Sequence, residues 1–163
     1  MAFIVDISIQ NGVYCPGVFP SGIGYGVRVN FSASTTHALR AMAWLAANAG
    51  GEAMLGRDLA RKLKIPPDYL SKVLATLARS GVLTASRGAK GGYRLARAAE
   101  RIKLVDVVTP FEGKRVKAGC LLRPDRPCRA SAACSAHTSW SDVNETYREF
   151  LEETTVADIR DTH

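Results

Sequence analysis

The sequence predicts a mainly α fold with a small β wing, a winged helix-turn-helix followed by a long C-terminal dimerisation helix. Three observations predict it. Two amphipathic helical patterns, residues 57–63 and 67–80, are separated only by Lys64-Ile65-Pro66, and proline disfavours helix in the residue before it. Two short strand patterns follow, joined by a basic, glycine-rich run. A last long pattern then carries apolar residues three and four apart.

Residues 1–30 are rich in glycine and apolar side chains and hold no persistent period, so they are expected to be loosely packed or disordered. Ser34, Thr35 or Thr36 can cap a first helix reaching Asn48, with Leu39, Met42, Ala43 and Ala46 inward and Gly50-Gly51 ending it. In residues 57–63, Leu59, Ala60 and Leu63 face the core. In residues 67–80 that part falls to Leu70, Val73, Leu74 and Leu77; Pro67 is tolerated in the first turn and Gly81 terminates. Residues 82–86 and 93–95 read as paired strands around Arg87-Gly88-Ala89-Lys90-Gly91-Gly92, a turn that glycine makes possible. Residues 104–111 form a short apolar, helical segment. A basic loop with three cysteines leads from it into a helix over 139–153 carrying Trp140, Val143, Tyr147, Phe150 and Leu151 on one stripe. The expected organisation is therefore an extension (1–30), the DNA-binding domain (31–103), a connecting helix with the cysteine loop (104–138), and a dimerisation helix with an acidic tail (139–163).

Charge is distributed along these segments unevenly. Residues 57–103 carry twelve Lys/Arg against three Asp/Glu, whereas residues 135–163 carry two against seven. A local basic block of this kind suits nucleic acid or an acidic membrane surface, and the tail does not. No window approaches the roughly 18 consecutive apolar residues of a membrane span. The start, MAFIVDISIQ, has no basic leader and places Asp6 inside its apolar run, so a cytoplasmic protein is expected. Reduced thiols follow from that compartment, which favours metal or redox chemistry over disulfides at Cys15, Cys120, Cys128 and Cys134.

In a helix-turn-helix the second helix lies in the major groove, and polar residues near its start meet base edges. Here those are Asp68, Tyr69, Ser71 and Lys72. Arg57, Arg61, Lys62, Arg79, Lys90 and Arg94 are placed to neutralise phosphates, and Arg87 on the wing to enter a minor groove. The cysteines follow the pattern Cys120-x7-Cys128-x5-Cys134-x2-His137. Three thiolates and an imidazole suit an iron–sulfur cluster or zinc. Zinc knuckles are usually tighter than these gaps, so the spacing leans toward a cluster. Lys114, Arg115, Lys117, Arg123, Arg126 and Arg129 surround the thiols with positive charge that lowers thiolate pKa, or else form a solvated loop.

The run LARKLKIPPDYLSKVLATLARSGVLTASRGAKGGYRLAR, followed by IKLVDVV, resembles the winged-helix regulators that include IscR, NsrR and RirA, the Rrf-two family. The resemblance spans about residues 30–155 and is most specific in the wing. It implies a homodimer that binds a near-palindromic operator in double-stranded DNA. It also implies that Cys120, Cys128 and Cys134 hold a cluster, [2Fe-2S] or [4Fe-4S], with their spacing similar to RirA-type members. His137 matches the histidine ligand of IscR-type proteins. Other members take the last ligand from the partner's first helix, where this chain has His37. Chains of the family typically start near the position of Val29, so residues 1–28 read as an extension or as an early-assigned start.

The expected function is a DNA-binding repressor tuned by a cluster that senses iron, redox or nitric oxide status. A zinc-stabilised or thiol-redox winged helix without a cluster is the alternative. A thiol enzyme is a remote one, because no oxyanion loop or phosphate-binding glycine motif accompanies the cysteines. No catalytic residues are expected.

Overall fold

The computed structural model describes residues 31–48, 52–88, 91–113, 119–120, 122–123, 126 and 134–160. Lys90, Cys128 and the whole of residues 1–30, Cys15 included, lie outside them. The first helix, α1 (Ala33–Asn48), buries a mostly small-residue face of Ala38, Ala41, Met42, Ala43 and Leu45. Its start lies upstream of the expected caps: Ser32 Oγ accepts the Thr35 N–H at 3.3 Å, the bond a capping hydroxyl makes to the third residue of a helix.

Helix α2 (Gly56–Leu63) ends on Lys64, which adopts the left-handed conformation (φ 55°, ψ 43°) and donates its N–H to carbonyls of the last turn. Ile65 N–H then reaches back to Ala60 O at 3.0 Å and its side chain is buried. This closes the helix against an apolar plug before Pro66 redirects the chain. Helix α3 (Pro67–Arg79) begins with Pro67 in its first turn and buries Leu70, Val73, Leu74 and Leu77. Burial of each such side chain stabilises by about 1.5–3 kcal/mol. Gly81, at φ 79°, leads into the wing.

Strands β1 (Leu83–Ser86) and β2 (Gly92–Leu95) pair antiparallel, Leu83 opposite Leu95 and Ser86 opposite Gly92. The other edge of β2 bonds to the segment before α2 through Met54 N–H to Tyr93 O at 2.9 Å and Tyr93 N–H to Met54 O at 2.8 Å. That approach explains Gly92: a Cβ there would stand 2.3 Å from Met54 O, and its φ is +145°, both open only to glycine.

After a 3₁₀ turn (Ala99–Arg101), α4 (Leu104–Glu112) lays Leu104, Val107 and Val108 into the core despite an internal proline, Pro110. Helix α5 (His137–Glu153) starts two residues earlier than the periodicity predicts, which puts His137 in its first turn. Past α5 the chain returns to the domain: Leu104 N–H bonds Thr154 O at 2.9 Å and Val156 N–H bonds Ile102 O at 2.8 Å. Val156 and Leu151 join one apolar cluster with α1, α2, α3 and α4. Among the described residues no helix is long and apolar enough to cross a membrane.

Candidate nucleic-acid interface and cysteine loop

Helix α3 has two faces. Asp68, Ser71, Lys72, Ala75 and Arg79 are exposed along one side, opposite the buried leucines and valine. Ala75 extends the stripe that Asp68, Ser71 and Lys72 begin. The polar-residue criterion overlooked it, although the three- and four-residue spacing from Ser71 and Lys72 points to it. A small apolar residue there lets the helix approach closely and can meet a thymine methyl.

Tyr69 is placed differently from its three expected companions. It is half-buried, its hydroxyl lies 2.8 Å from Ser34 Oγ of α1, and its ring meets His37 edge-on with centroids 5.3 Å apart. The aromatic body packs on the domain, as its apolar area favours. These contacts tie the start of α3 to α1.

Arg57 is exposed on α2, while Arg61 is paired there with Asp58 at 3.1 Å. Arg79 leans on Thr76 Oγ1 at 3.1 Å. On the wing, Arg94 is exposed on β2 opposite Thr84, and exposed Arg87 follows β1 directly. Asp68 stands in the first turn of α3, where a carboxylate also complements the positive end of the helix.

The described part of the cysteine loop is tied to the first turn of α5. Trp140 Nε1 donates to Gly119 O at 2.8 Å, which holds the residue next to Cys120 against the helix. Cys134 O accepts the His137 N–H at 3.0 Å, so Cys134 enters the helix through a single turn. Between these anchors Cys120 N–H bonds Arg126 O at 2.8 Å, and Arg123 N–H bonds Cys120 O at 3.1 Å. Cys120 is half-buried and Cys134 exposed. Among the described residues no three His, Cys, Asp or Glu side chains converge on a metal-sized site; the expected set includes Cys128, which lies outside them. By donor type, thiols and an imidazole suit a thiolate-ligated centre.

His37 sits in the first half of α1, with its Nδ1 buried and without a hydrogen-bond partner among the described residues. Burial and then the neighbouring Arg40 guanidinium hold its imidazole below the ordinary value, against a weaker pull from the Ala33 carbonyl. The ring therefore favours the neutral form, which is the form that binds metals.

Comparison with known proteins bears on both regions. The profile of the Rrf2 family, described as iron-dependent transcriptional regulators, matches residues 31–162. An HTH-type transcriptional regulator of Mycobacterium tuberculosis is 34% identical over 132 residues, 80% of this chain and 81% of that one. One from Aquifex aeolicus is 30% identical over 130 residues, 79% of this chain and 90% of the other. Among solved structures, CymR, the global cysteine regulator of B. subtilis, superposes with a TM-score of 0.70 at 22% identity, covering 82% of this chain and 97% of its own. IscR of T. potens gives 0.64 at 25% identity, over 80% of this chain and 85% of its own. The CymR likeness speaks for the fold alone.

Proposed function

The chain belongs to the Rrf2 family of transcriptional regulators, and on that premise we propose that it represses transcription as a homodimer on a near-palindromic duplex operator, under control of an iron–sulfur cluster held by Cys120, Cys128, Cys134 and His137. Its relatives are transcriptional regulators and not enzymes, so the thiol-enzyme alternative is set aside. The observation that carries the sensor reading is the attachment of Cys120 and Cys134 to the first turn of α5 through Trp140 and His137.

Asp68, Ser71, Lys72 and Ala75 present the reading face, and Arg57, Arg79, Arg87, Lys90 and Arg94 supply phosphate or minor-groove contacts. Two-fold pairing sets the two copies of α3 about one DNA turn, roughly 34–36 Å, apart. When bound, the cluster supplies a centre whose redox state or loss changes the constraint on the loop. Trp140 and His137 pass that change to α5, whose far end is anchored to the DNA-binding domain through Val156 and Ile102. Holo and apo protein then differ in operator affinity because each favours a different loop arrangement. His137 is the fourth ligand in this reading; His37 of a second copy is the alternative, and replacing each in turn separates them.

The test is the visible spectrum, with iron and sulfide analysis, of protein purified without oxygen. Brown protein containing both elements, losing its visible absorption in Cys128→Ala, is the expected result. Absorption that survives Cys128→Ala overturns the ligand set. Colourless protein with one zinc per chain favours a zinc-stabilised winged helix instead. Light scattering at micromolar concentration is expected to give the mass of a dimer, and a monomer there removes the two-fold operator.

A further inference from the structure

One polar side chain among the described residues is fully buried, Thr35 in the first turn of α1. Its hydroxyl donates to Glu112 Oε1 at 2.5 Å, and the same oxygen accepts the Ser32 N–H at 2.8 Å. Because the Thr35 proton goes to the carboxylate, the 2.9 Å contact between Ser32 Oγ and Thr35 Oγ1 runs from Ser32 to Thr35. Ser32 Oγ in turn accepts the Thr35 N–H. The first turn of α1 is thus closed around one carboxylate oxygen, donated from a residue 77 positions downstream of Thr35. A carboxylate suits the unsatisfied N–H groups and positive end of a helix.

The other side of that same turn carries Ser34, whose hydroxyl meets Tyr69 at the start of α3. Asp68, Ser71 and Lys72 flank Tyr69 in sequence. On its own helix, Glu112 is the last residue of α4, followed by Gly113 at φ 55°. The preceding turn of α4 contains Pro110, which has no N–H to give the ladder. That turn is held at its end by Gly113 N–H on Thr109 O and by the Glu112 bonds to α1. A displacement of the last turn of α4 therefore reaches the Glu112 carboxylate with little helix to absorb it.

We propose that Glu112 is a positioning residue that couples the end of α4 to the reading helix, through Ser32 and Thr35 to the first turn of α1 and through Ser34 to Tyr69 of α3. The proposal deepens the DNA-binding reading above and rests on it for its consequence. The coupling itself is a property of the free protein and is measurable without DNA.

The experiment compares Glu112→Ala, Glu112→Gln, Tyr69→Phe and the Glu112→Ala/Tyr69→Phe double variant in the full chain. Amide hydrogen exchange over residues 67–72 is the first readout. The second is affinity for a duplex that the wild-type chain selects from a random-sequence pool. Glu112→Ala is expected to speed exchange at the start of α3, which residue 112 does not adjoin in sequence, and to weaken the selected duplex about tenfold. Glu112→Gln keeps an acceptor oxygen for Ser32 and Thr35 and is expected to restore most of both. The double variant is expected to be little worse than Glu112→Ala alone, since both changes cut one path. Unchanged exchange at 67–72 in Glu112→Ala, or strict additivity with Tyr69→Phe, overturns the relay. Should Glu112→Ala fail to fold, Thr35→Val, which keeps the shape of the buried side chain and removes its hydroxyl, decides by the same exchange criterion. Selection of no duplex counts against the DNA-binding reading, and the exchange result still decides the relay.

Discussion

Helices α3 and α5 both announce themselves by an apolar stripe, yet the fold treats them differently. The 13 residues of α3 bury four apolar side chains; the 17 of α5 bury one, Leu151. Tyr147 and Phe150 lean on the same core, Trp140 is half-buried, and Val143 is 57% exposed. The expected dimerisation stripe is therefore divided. Its C-terminal half is spent on the chain's own domain, and its N-terminal half, beside the cysteines, is not. A periodic stripe states that a face is to be covered, and the cover can come from the same chain or from elsewhere. For α3 it is the same chain. For the first half of α5 we assign it to the second copy in the proposed dimer.

The sharpest break of that comparison is a pair of substitutions. Leu74→Ala, at a site with no solvent exposure, is expected to cost about 2–5 kcal/mol and to lower the urea midpoint of the whole chain. Val143→Glu is expected to leave the fold within about 0.5 kcal/mol while shifting the mass in light scattering from dimer to monomer. If Val143→Glu unfolds the chain as Leu74→Ala does, the first half of α5 belongs to the core and the division of the stripe is mistaken.

A finer test separates the reading face from its surroundings. Lys72→Ala, on the exposed side of α3, is expected to cost about 1–3 kcal/mol against the selected duplex and to relax preference at one base position. Arg94→Ala on the wing is expected to weaken all duplexes alike and to lower the salt slope by about one. Binding titrations at several salt concentrations with matched and mismatched duplexes distinguish the two. Equal losses on every duplex for Lys72→Ala would make α3 a phosphate-binding element and not a reader.

Much of the fold was legible because its signals are local. The proline after Lys64-Ile65, the leucine spacing of α3 and the glycines of the wing each act within a few residues, and α2 to α5 and both strands lie within two residues of their expected bounds. The exposed face of α3 was legible in part: Asp68, Ser71 and Lys72 are exposed as expected, exposed Ala75 was passed over because it is not polar, and Tyr69 is half-buried because Ser34 and His37 lie across from it. Neither partner is visible from the sequence around Tyr69. The same holds for Glu112, whose donors are 77 and 80 positions away. The cap of α1 fell on Ser32, ahead of the three hydroxyl residues expected to supply it, because Glu112 fixes that turn from outside. Contacts between distant segments are set by packing, and a period of three or four residues carries no information about them.

The smallest expected effect concerns where α5 hands over to the domain core. Past its end, Asp158 Oδ2 accepts the Thr155 N–H at 2.8 Å and the Thr155 hydroxyl at 2.6 Å, and the turn so formed carries Val156 into the core. The Thr155 hydroxyl, then its amide, hold the Asp158 carboxyl below the ordinary value. With the folded value below the unfolded one, the unfolded chain takes up the proton first as pH falls. The stabilisation is complete above the unfolded value near 3.9 and disappears as pH drops through the folded one. Asp158→Ala is therefore expected to cost about 0.5 kcal/mol at neutral pH, the low end for a hydrogen bond at an exposed site, and progressively less as the pH falls through the folded value. Urea midpoints of the two chains converge in acid if the carboxylate holds this turn. A gap that persists unchanged in acid assigns the anchoring of α5 to Val156 packing alone, and with it the whole of the difference between the two halves of the helix.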